Sequence, residues 1–118
     1  MNDSKYDFTA EYDVVIAGAG VAGVAAALAS ARRGLKTCLV EKTIMNGGLA
    51  TIGSVLYYLP LSDTHQQQLI FGISEELLHA SIKYGPGDVA DWKNDPKVRY
   101  GCWFNPMSFV LAMDELLD

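Results

Sequence analysis

Three closely spaced glycines and a later glutamate are the residues of this chain whose types and spacing could support chemistry. Gly18, Gly20 and Gly23 form the pattern G-x-G-x-x-G, and Glu41 follows 18 residues after the last glycine. Gly18 allows a tight turn, Gly20 lets the main chain approach a pyrophosphate, and Gly23 allows two backbones to pack closely. Glu41 would accept hydrogen bonds from ribose hydroxyls, and its charge disfavours a 2′-phosphate. The pattern predicts a dinucleotide site that needs no cationic side chain.

The elements around these residues decide whether the pattern has that meaning, because short glycine patterns also occur by chance. Asp13 to Ala17 is a β-branched run typical of a buried parallel strand, and Val21 to Arg33 is alanine-rich and ends before the cap residue Gly34. Leu35 to Val40 reads as a second strand. The order strand, helix, strand predicts a right-handed βαβ unit. The alternative is a plain glycine-rich turn before a buried helix.

The second half of the chain has weaker patterns. Residues 55–61 are apolar and end near Pro60, which leaves a loop or a short helix open. Apolar residues recur at helical spacing between Thr64 and Lys83, so we expect an amphipathic helix there. Residues 88–104 read as a polar loop. Asn105 and Pro106 then suit an N-cap and first helical position, which predicts a helix from Pro106 to Leu117.

Composition restricts the class of protein. The chain has 118 residues, of which 50% are hydrophobic and 19% charged, as expected for one globular domain. Its 9 basic and 14 acidic residues give a net charge of −5 without any basic run, so we expect no nucleic-acid partner. No apolar run is long enough to cross a membrane, and the polar, acidic N-terminus does not resemble a secretory signal. We therefore expect no membrane partner and a cytoplasmic location.

Few other residues suggest chemistry. Cys38 and Cys102 are too few for a disulfide scaffold, and we expect both to be inert. His65 and His79 lack neighbouring residues at ligand spacing, which predicts structural or surface roles and no metal site. Four aromatic residues could line a pocket, but core or loop packing is the favoured interpretation; they are Tyr57, Tyr58, Trp92 and Trp103.

With these motifs in place, the chain resembles the FAD-dependent oxidoreductases that have a glutathione-reductase-type FAD-binding domain. The resemblance rests on YDVVIAGAGVAGVAAALASARRGLKTCLVEK and NGGLATIGSV, and it extends to FGISEELL and FNPMSFVLAMDELL. It implies FAD as cofactor and a cofactor-binding set made of Gly18, Gly20, Val21, Ala22, Gly23, Glu41, Lys42, Gly47, Gly48, Ala50 and Thr51. Lys42 would flank the adenine, and the last four would lie along the ribityl and flavin side. The segment after the double glycine contains no cysteine pair, so dithiol chemistry is not expected.

The fold class that follows is α/β, the Rossmann-like βαβ start of a doubly wound parallel sheet, left incomplete. We expect an N-terminal arm over residues 1–12 and a partial FAD-binding domain over 13–118 that stops before its third parallel strand. The predicted function is the FAD-binding portion of an oxidoreductase that transfers electrons or hydride to or from an unknown small molecule. Since no catalytic residues can be identified, the chain alone is not expected to be catalytically complete. A noncatalytic fragment or small subunit that self-associates, or an NAD-binding module, remain alternatives.

Overall fold

The computed structural model of the protein describes residues 10–118. Residues 1–9, most of the predicted N-terminal arm, lie outside the described residues. The chain runs through the elements β1 (Val14–Ala17), α1 (Val21–Ala31), β2 (Thr37–Val40), a 3-10 turn (Gly48–Ala50), β3 (Tyr57–Tyr58), α2 (Ile73–Ile82), β4 (Cys102–Trp103) and α3 (Pro106–Leu117).

The first three elements form the predicted βαβ unit. Strands β1 and β2 pair in parallel, with Val14 opposite Thr37 and Ala17 opposite Val40. Both strands and α1 are shorter than the sequence indicated by one to two residues at an end. Gly34 has a φ of 82°, which confirms the left-handed turn expected after the helix. The α/β class and the Rossmann-like start are therefore confirmed, with two parallel strands present.

The expectations of a loop or short helix over 55–61 and of a polar loop over 88–104 were incomplete. Each segment contributes a two-residue strand, and the two strands pair antiparallel, with Tyr57 opposite Trp103 and Tyr58 opposite Cys102. The physical reason is burial: Tyr58 and Cys102 on one face of this pair contact the buried clusters of the chain. A pairing between segments about 45 residues apart has no signal in either local sequence.

The helix predicted from Thr64 to Lys83 is wrong over its first part, because α2 begins only at Ile73. The Asp63 carboxylate accepts hydrogen bonds from the backbone N–H groups of His65 and Gln67, at 2.8 and 2.9 Å. Gln66 takes a left-handed φ of 62°, which a helix does not allow. A side chain that binds nearby backbone groups competes with helix formation. Here the hydrogen bonds to Asp63 replace the first turns of the predicted helix.

The helix α3 begins as the sequence predicted. Asn105 is its N-cap, and the side-chain oxygen accepts from the N–H groups of Met107 and Ser108 at 2.9 and 3.2 Å. The helix packs with α1 and α2 in the main core cluster, to which it contributes Phe109 and Met113. Through these core contacts, α3 connects the βαβ unit to α2.

A second buried cluster lies under the β3–β4 pair. Trp92 stacks on Tyr100 with ring centroids 4.9 Å apart, and both are buried. The Tyr100 hydroxyl donates to Glu75 at 2.7 Å, so His79 Nε2, 2.9 Å away, must be the donor of their hydrogen bond. Trp92 thus has the predicted core role, and His79 makes a structural contact. In residues 10–118, no helix is long and apolar enough to cross a membrane.

Candidate functional site

The glycine motif forms a turn between β1 and α1. Gly18 has a φ of 99°, which favours glycine, and its N–H donates to the Val40 carbonyl at 2.7 Å. A Cβ at Gly23 would lie 1.9 Å from the Gly18 carbonyl oxygen, so only glycine fits there without a backbone shift. The two glycines therefore have the roles predicted from their spacing, a tight turn and a close backbone approach.

The helix α1 presents an open N-terminus. Its N-cap is Gly20, whose side-chain position is empty: a Cβ there would meet no atom within 4 Å. No side chain caps the helix and no acidic residue lies in its first turn. The first N–H groups of a helix have no partner within it, so those of Val21 and Ala22 are available to an anion.

The double glycine packs directly against this motif. The Gly47 N–H donates to the Ala19 carbonyl at 2.7 Å, and Gly47 forms an isolated parallel bridge with Gly20. Gly47 and Gly48 both have positive φ, at 101° and 54°. A Cβ at Gly48 would lie 3.1 Å from the Gly20 Cα, so the two backbones nearly touch. Two glycine segments far apart in sequence thus build one surface that side chains do not cover.

The side chains of Thr51 and Asn46 stabilise the turn that contains the double glycine. The buried Thr51 hydroxyl donates to the Asn46 carbonyl at 2.7 Å, and a Cβ at Gly47 would lie 2.4 Å from the Thr51 methyl group. The Asn46 amide donates to Asp114 of α3 at 2.8 Å. Thr51 therefore stabilises the turn by a hydrogen bond within it, and Asn46 stabilises it by a hydrogen bond to α3.

Glu41 lies at the end of β2 and reaches back to the glycine motif. One carboxylate oxygen accepts the Ala19 N–H at 2.7 Å, and the other accepts the N–H and the hydroxyl of Thr43, both at 2.8 Å. The Thr43 N–H, then the Ala19 N–H and the Thr43 hydroxyl, lower the pKa of Glu41 from 4.5 to about 2. The carboxylate is consequently ionised, and its position beside the motif is fixed.

An apolar cleft of about 490 Å³ adjoins the glycine surface. Gly20, Val21 and Ala22 line one side of it, and Gly47 and Ala50 line the next. The remaining wall comes from the β3 region and from the segment before α3, through Leu49, Val55, Tyr57, Tyr58, Leu59 and Phe104. Five of the eleven residues predicted from the sequence therefore line this one opening: Gly20, Val21, Ala22, Gly47 and Ala50.

Six of the eleven predicted residues do not line the cleft; they are Gly18, Gly23, Glu41, Lys42, Gly48 and Thr51. Lys42 is exposed and forms no ion pair among residues 10–118, so its place beside an adenine stays a prediction. Thr51 is buried beneath the turn. Sequence reasoning missed Thr43 and Asn46, although a threonine two residues after an acid commonly binds it. It also favoured packing roles for Tyr57 and Tyr58, which contribute to the cleft.

Comparisons with known proteins identify a family and several relatives. The family model described as FAD dependent oxidoreductase matches residues 13–118. Thioredoxin reductase from Ureaplasma parvum is 37% identical over 71 residues, which is 60% of this chain and 23% of that protein. Glycerol-3-phosphate dehydrogenase from Mycobacterium leprae is 38% identical over 71 residues, covering 60% of this chain and 12% of that protein.

A third relative matches a longer stretch of this chain. The 3-oxosteroid 1-dehydrogenase from Mycolicibacterium smegmatis is 55% identical over 82 residues, covering 67% of this chain and 14% of that protein. The chain thus spans less than a quarter of the length of these three relatives. No solved structure matches the chain at a significant level.

Proposed function

The chain belongs to the FAD dependent oxidoreductase family, and we propose that its glycine surface is the FAD-binding cradle of an oxidoreductase. FAD, the cofactor of this family, supplies electron or hydride transfer when bound. The observation that carries the proposal is the convergence of Gly18, Gly20, Gly47 and Gly48 around the uncapped start of α1. Such a surface suits a pyrophosphate, because main-chain N–H groups reach it without interference from side chains.

The residues present fit the two ends of FAD. Glu41 can hold the adenosine ribose: the Ala19 N–H and the N–H and hydroxyl of Thr43 bind its carboxylate, the Lys42 N–H contributes more weakly, and the oxygen that binds Ala19 has a second acceptor lone pair. The Thr43 hydroxyl also lies 3.0 Å from the Met45 carbonyl, so its single proton can move there and release a second position. Both ribose hydroxyls can then be accepted. Lys42 would flank the adenine.

The apolar cleft suits the flavin end of FAD. Gly47, Gly48 and Ala50 would lie along the ribityl chain and flavin, with Thr51 holding their turn in shape. The cleft is continuous with the helix start through Gly20 and is walled by apolar and aromatic side chains, which suits a planar ring system. The chain's contribution is therefore to bind and orient the cofactor and to shield it from water.

For the whole enzyme, we propose a class of substrate and a location. The substrate would be a small molecule, with no nucleic acid and no membrane as partner, in the cytoplasm. The chain would bind FAD and complete its catalytic site with other residues or chains. Self-association as a noncatalytic subunit is the alternative, and a concentration-dependent mass in analytical ultracentrifugation would favour it.

The cradle is tested by Gly20→Val. Because Gly20 has extended backbone angles and open space at its Cβ position, valine should fold normally but cover the helix start. We expect FAD binding, measured by flavin fluorescence, to be lost while the thermal unfolding midpoint stays close to the wild-type value. Ala26→Val is the control, since it also creates a valine on α1 but at an exposed position that does not line the cleft.

Unchanged FAD affinity in Gly20→Val, with a normal fold, would refute the pyrophosphate assignment. Titration of the wild-type chain with NAD decides between cofactors: tighter binding of NAD than of FAD would favour the NAD-binding module instead.

The ribose assignment is tested by Glu41→Ala. A charged hydrogen bond to the ribose should be lost, which lowers FAD affinity about tenfold or more. Glu115→Ala removes a carboxylate that binds Lys83 and Tyr84 away from the cradle and should leave the affinity unchanged. Equal affinity for wild type and Glu41→Ala would contradict the role of Glu41.

A further inference from the structure

A second cleft lies on the other side of Tyr57. It has a volume of about 460 Å³, and we call it the cationic cleft after two of its lining residues, Lys97 and Arg99. Asp88 and Trp103 also line it. Tyr57 is a wall of both this cleft and the apolar cleft, so the two openings adjoin at one side chain.

Tyr57 and Trp103 form an aromatic platform beside the cationic cleft. They face each other across the β3–β4 pair, with ring centroids 5.0 Å apart and planes tilted by 56°. Trp103 is 70% exposed, an unusual position for the largest apolar side chain. Gly101 helps to define the platform, because a Cβ there would lie 2.8 Å from the Tyr57 hydroxyl oxygen. Exposed aromatic rings beside a cleft offer a stacking surface for a planar molecule.

The polar groups of the cleft favour an anion. Neither Lys97 nor Arg99 forms an ion pair within the described part of the chain, and both are exposed. One Asp88 oxygen already accepts the Val89 N–H at 2.7 Å. With two cations and one carboxylate, the lining side chains sum to a net charge of +1 in a chain whose total is −5; Arg99 also interacts with the Asp63 carboxylate, whose pKa it helps to lower. The Tyr57 hydroxyl has no hydrogen-bond partner among residues 10–118 and can donate to a ligand.

We propose that the cationic cleft binds the organic substrate, and that this substrate is a planar, largely apolar molecule carrying a carboxylate. The apolar part would stack on Tyr57 and Trp103, and the carboxylate would lie between Lys97, Arg99 and the Tyr57 hydroxyl. This inference rests on the proposed function, since the neighbouring apolar cleft must hold the flavin for the ligand to be a substrate. The shared wall at Tyr57 places the two ligands side by side.

The test uses 2-naphthoate and its neutral analogue 2-naphthalenemethanol as probes, titrated calorimetrically into the full chain without FAD. We expect the carboxylate to bind about tenfold more tightly than the alcohol, because it gains charged hydrogen bonds. The double variant Lys97→Met and Arg99→Met should lose this preference. Arg33→Met, which removes an exposed cation on the helix side of the molecule, should keep it. Equal dissociation constants in the wild type, or a preference that survives the double variant, would overturn the proposal.

Two further measurements separate this inference from the proposed function. Trp103→Ala should weaken both probes by the same severalfold factor, since stacking does not depend on the charge; unchanged binding of both would overturn the platform. The double variant should bind FAD as the wild type does. If the wild-type chain fails to bind FAD but keeps the naphthoate preference, the proposed function fails while the anion site stands.

Discussion

The glycine surface in the front of the molecule, residues 13–53, is shaped by close backbone contacts, whereas residues 54–104 pack through large side chains. In the front, Gly23 meets the Gly18 carbonyl and Gly48 meets the Gly20 Cα without any side chain between them. In the back, Trp92 stacks on Tyr100 at 4.9 Å. A cofactor cradle requires main-chain groups, whereas a scaffold beside it can use large side chains. We therefore expect the front region to be sensitive to an added Cβ at a glycine, and the back region to be sensitive to the loss of side-chain contacts.

The largest effect should come from Gly23→Ala in the front region. Its Cβ would lie 1.9 Å from a carbonyl oxygen, and backbone cannot move aside as a flexible side chain can. We expect a loss of about 3 kcal/mol or more in the free energy of unfolding, measured by urea denaturation. Gly20→Ala, with no atom within 4 Å of the added Cβ, should stay within about 1 kcal/mol of wild type. Equal stability of the two variants would contradict backbone contact as the basis of the front region.

This contrast also explains how much of the structure the sequence could predict. The βαβ unit and the tight turn after β1 follow from glycine spacing, because a missing Cβ at Gly18, Gly20 and Gly23 leaves a local signature. The pairing of Tyr57 with Trp103 depends on burial across about 45 residues, and no local pattern encodes it. The helix start at Ile73 depended on whether Asp63 would bind nearby backbone groups, which is a competition between two local structures.

A smaller effect is expected from Tyr100→Phe in the back region. The substitution removes the hydroxyl between Glu75 and His79 but keeps the ring that stacks on Trp92. We expect a loss of about 1–2 kcal/mol in the free energy of unfolding, with FAD affinity unchanged. Tyr12→Phe, at an exposed ring, is the matched control. A loss of FAD affinity in Tyr100→Phe would show that the two regions are coupled.

Asn46→Ala tests the contact between the double glycine and α3. The amide that donates to Asp114 at 2.8 Å is lost, which should cost about 1 kcal/mol or less because both groups are partly exposed. Since Gly47 follows directly, we expect FAD affinity to fall severalfold, a larger effect than in Tyr100→Phe. Asn94→Ala removes a similar amide contact with Asp91 in the back region. If Asn94→Ala lowers FAD affinity as much as Asn46→Ala does, the effect of Asn46 does not come from positioning the double-glycine turn.

The smallest effect is on the ionisation of Glu41, whose carboxylate reaches back to the glycine motif. The hydrogen bonds from Thr43 and Ala19 lower the pKa of Glu41 to about 2, so the carboxylate stabilises the folded state at pH above its ordinary value of 4.5. That contribution disappears as the pH falls from 4.5 toward 2, because protonation then removes the acceptor. Thr43→Val deletes the one side-chain donor to this carboxylate among residues 10–118 and should raise the pKa of Glu41 toward 4.5.

Carbon-13 titration of the Glu41 carboxyl group measures this pKa directly, with Thr37→Val as control because the Thr37 hydroxyl donates to the Leu35 carbonyl instead. An unchanged midpoint in Thr43→Val would mean that backbone donors alone hold the carboxylate. FAD affinity in Thr43→Val should remain near the wild-type value at neutral pH, because Glu41 stays ionised and the released acceptor position becomes open to the ribose. The side chain at Thr43 would then act before the cofactor arrives, by keeping Glu41 beside Ala19, where the backbone cradle ends.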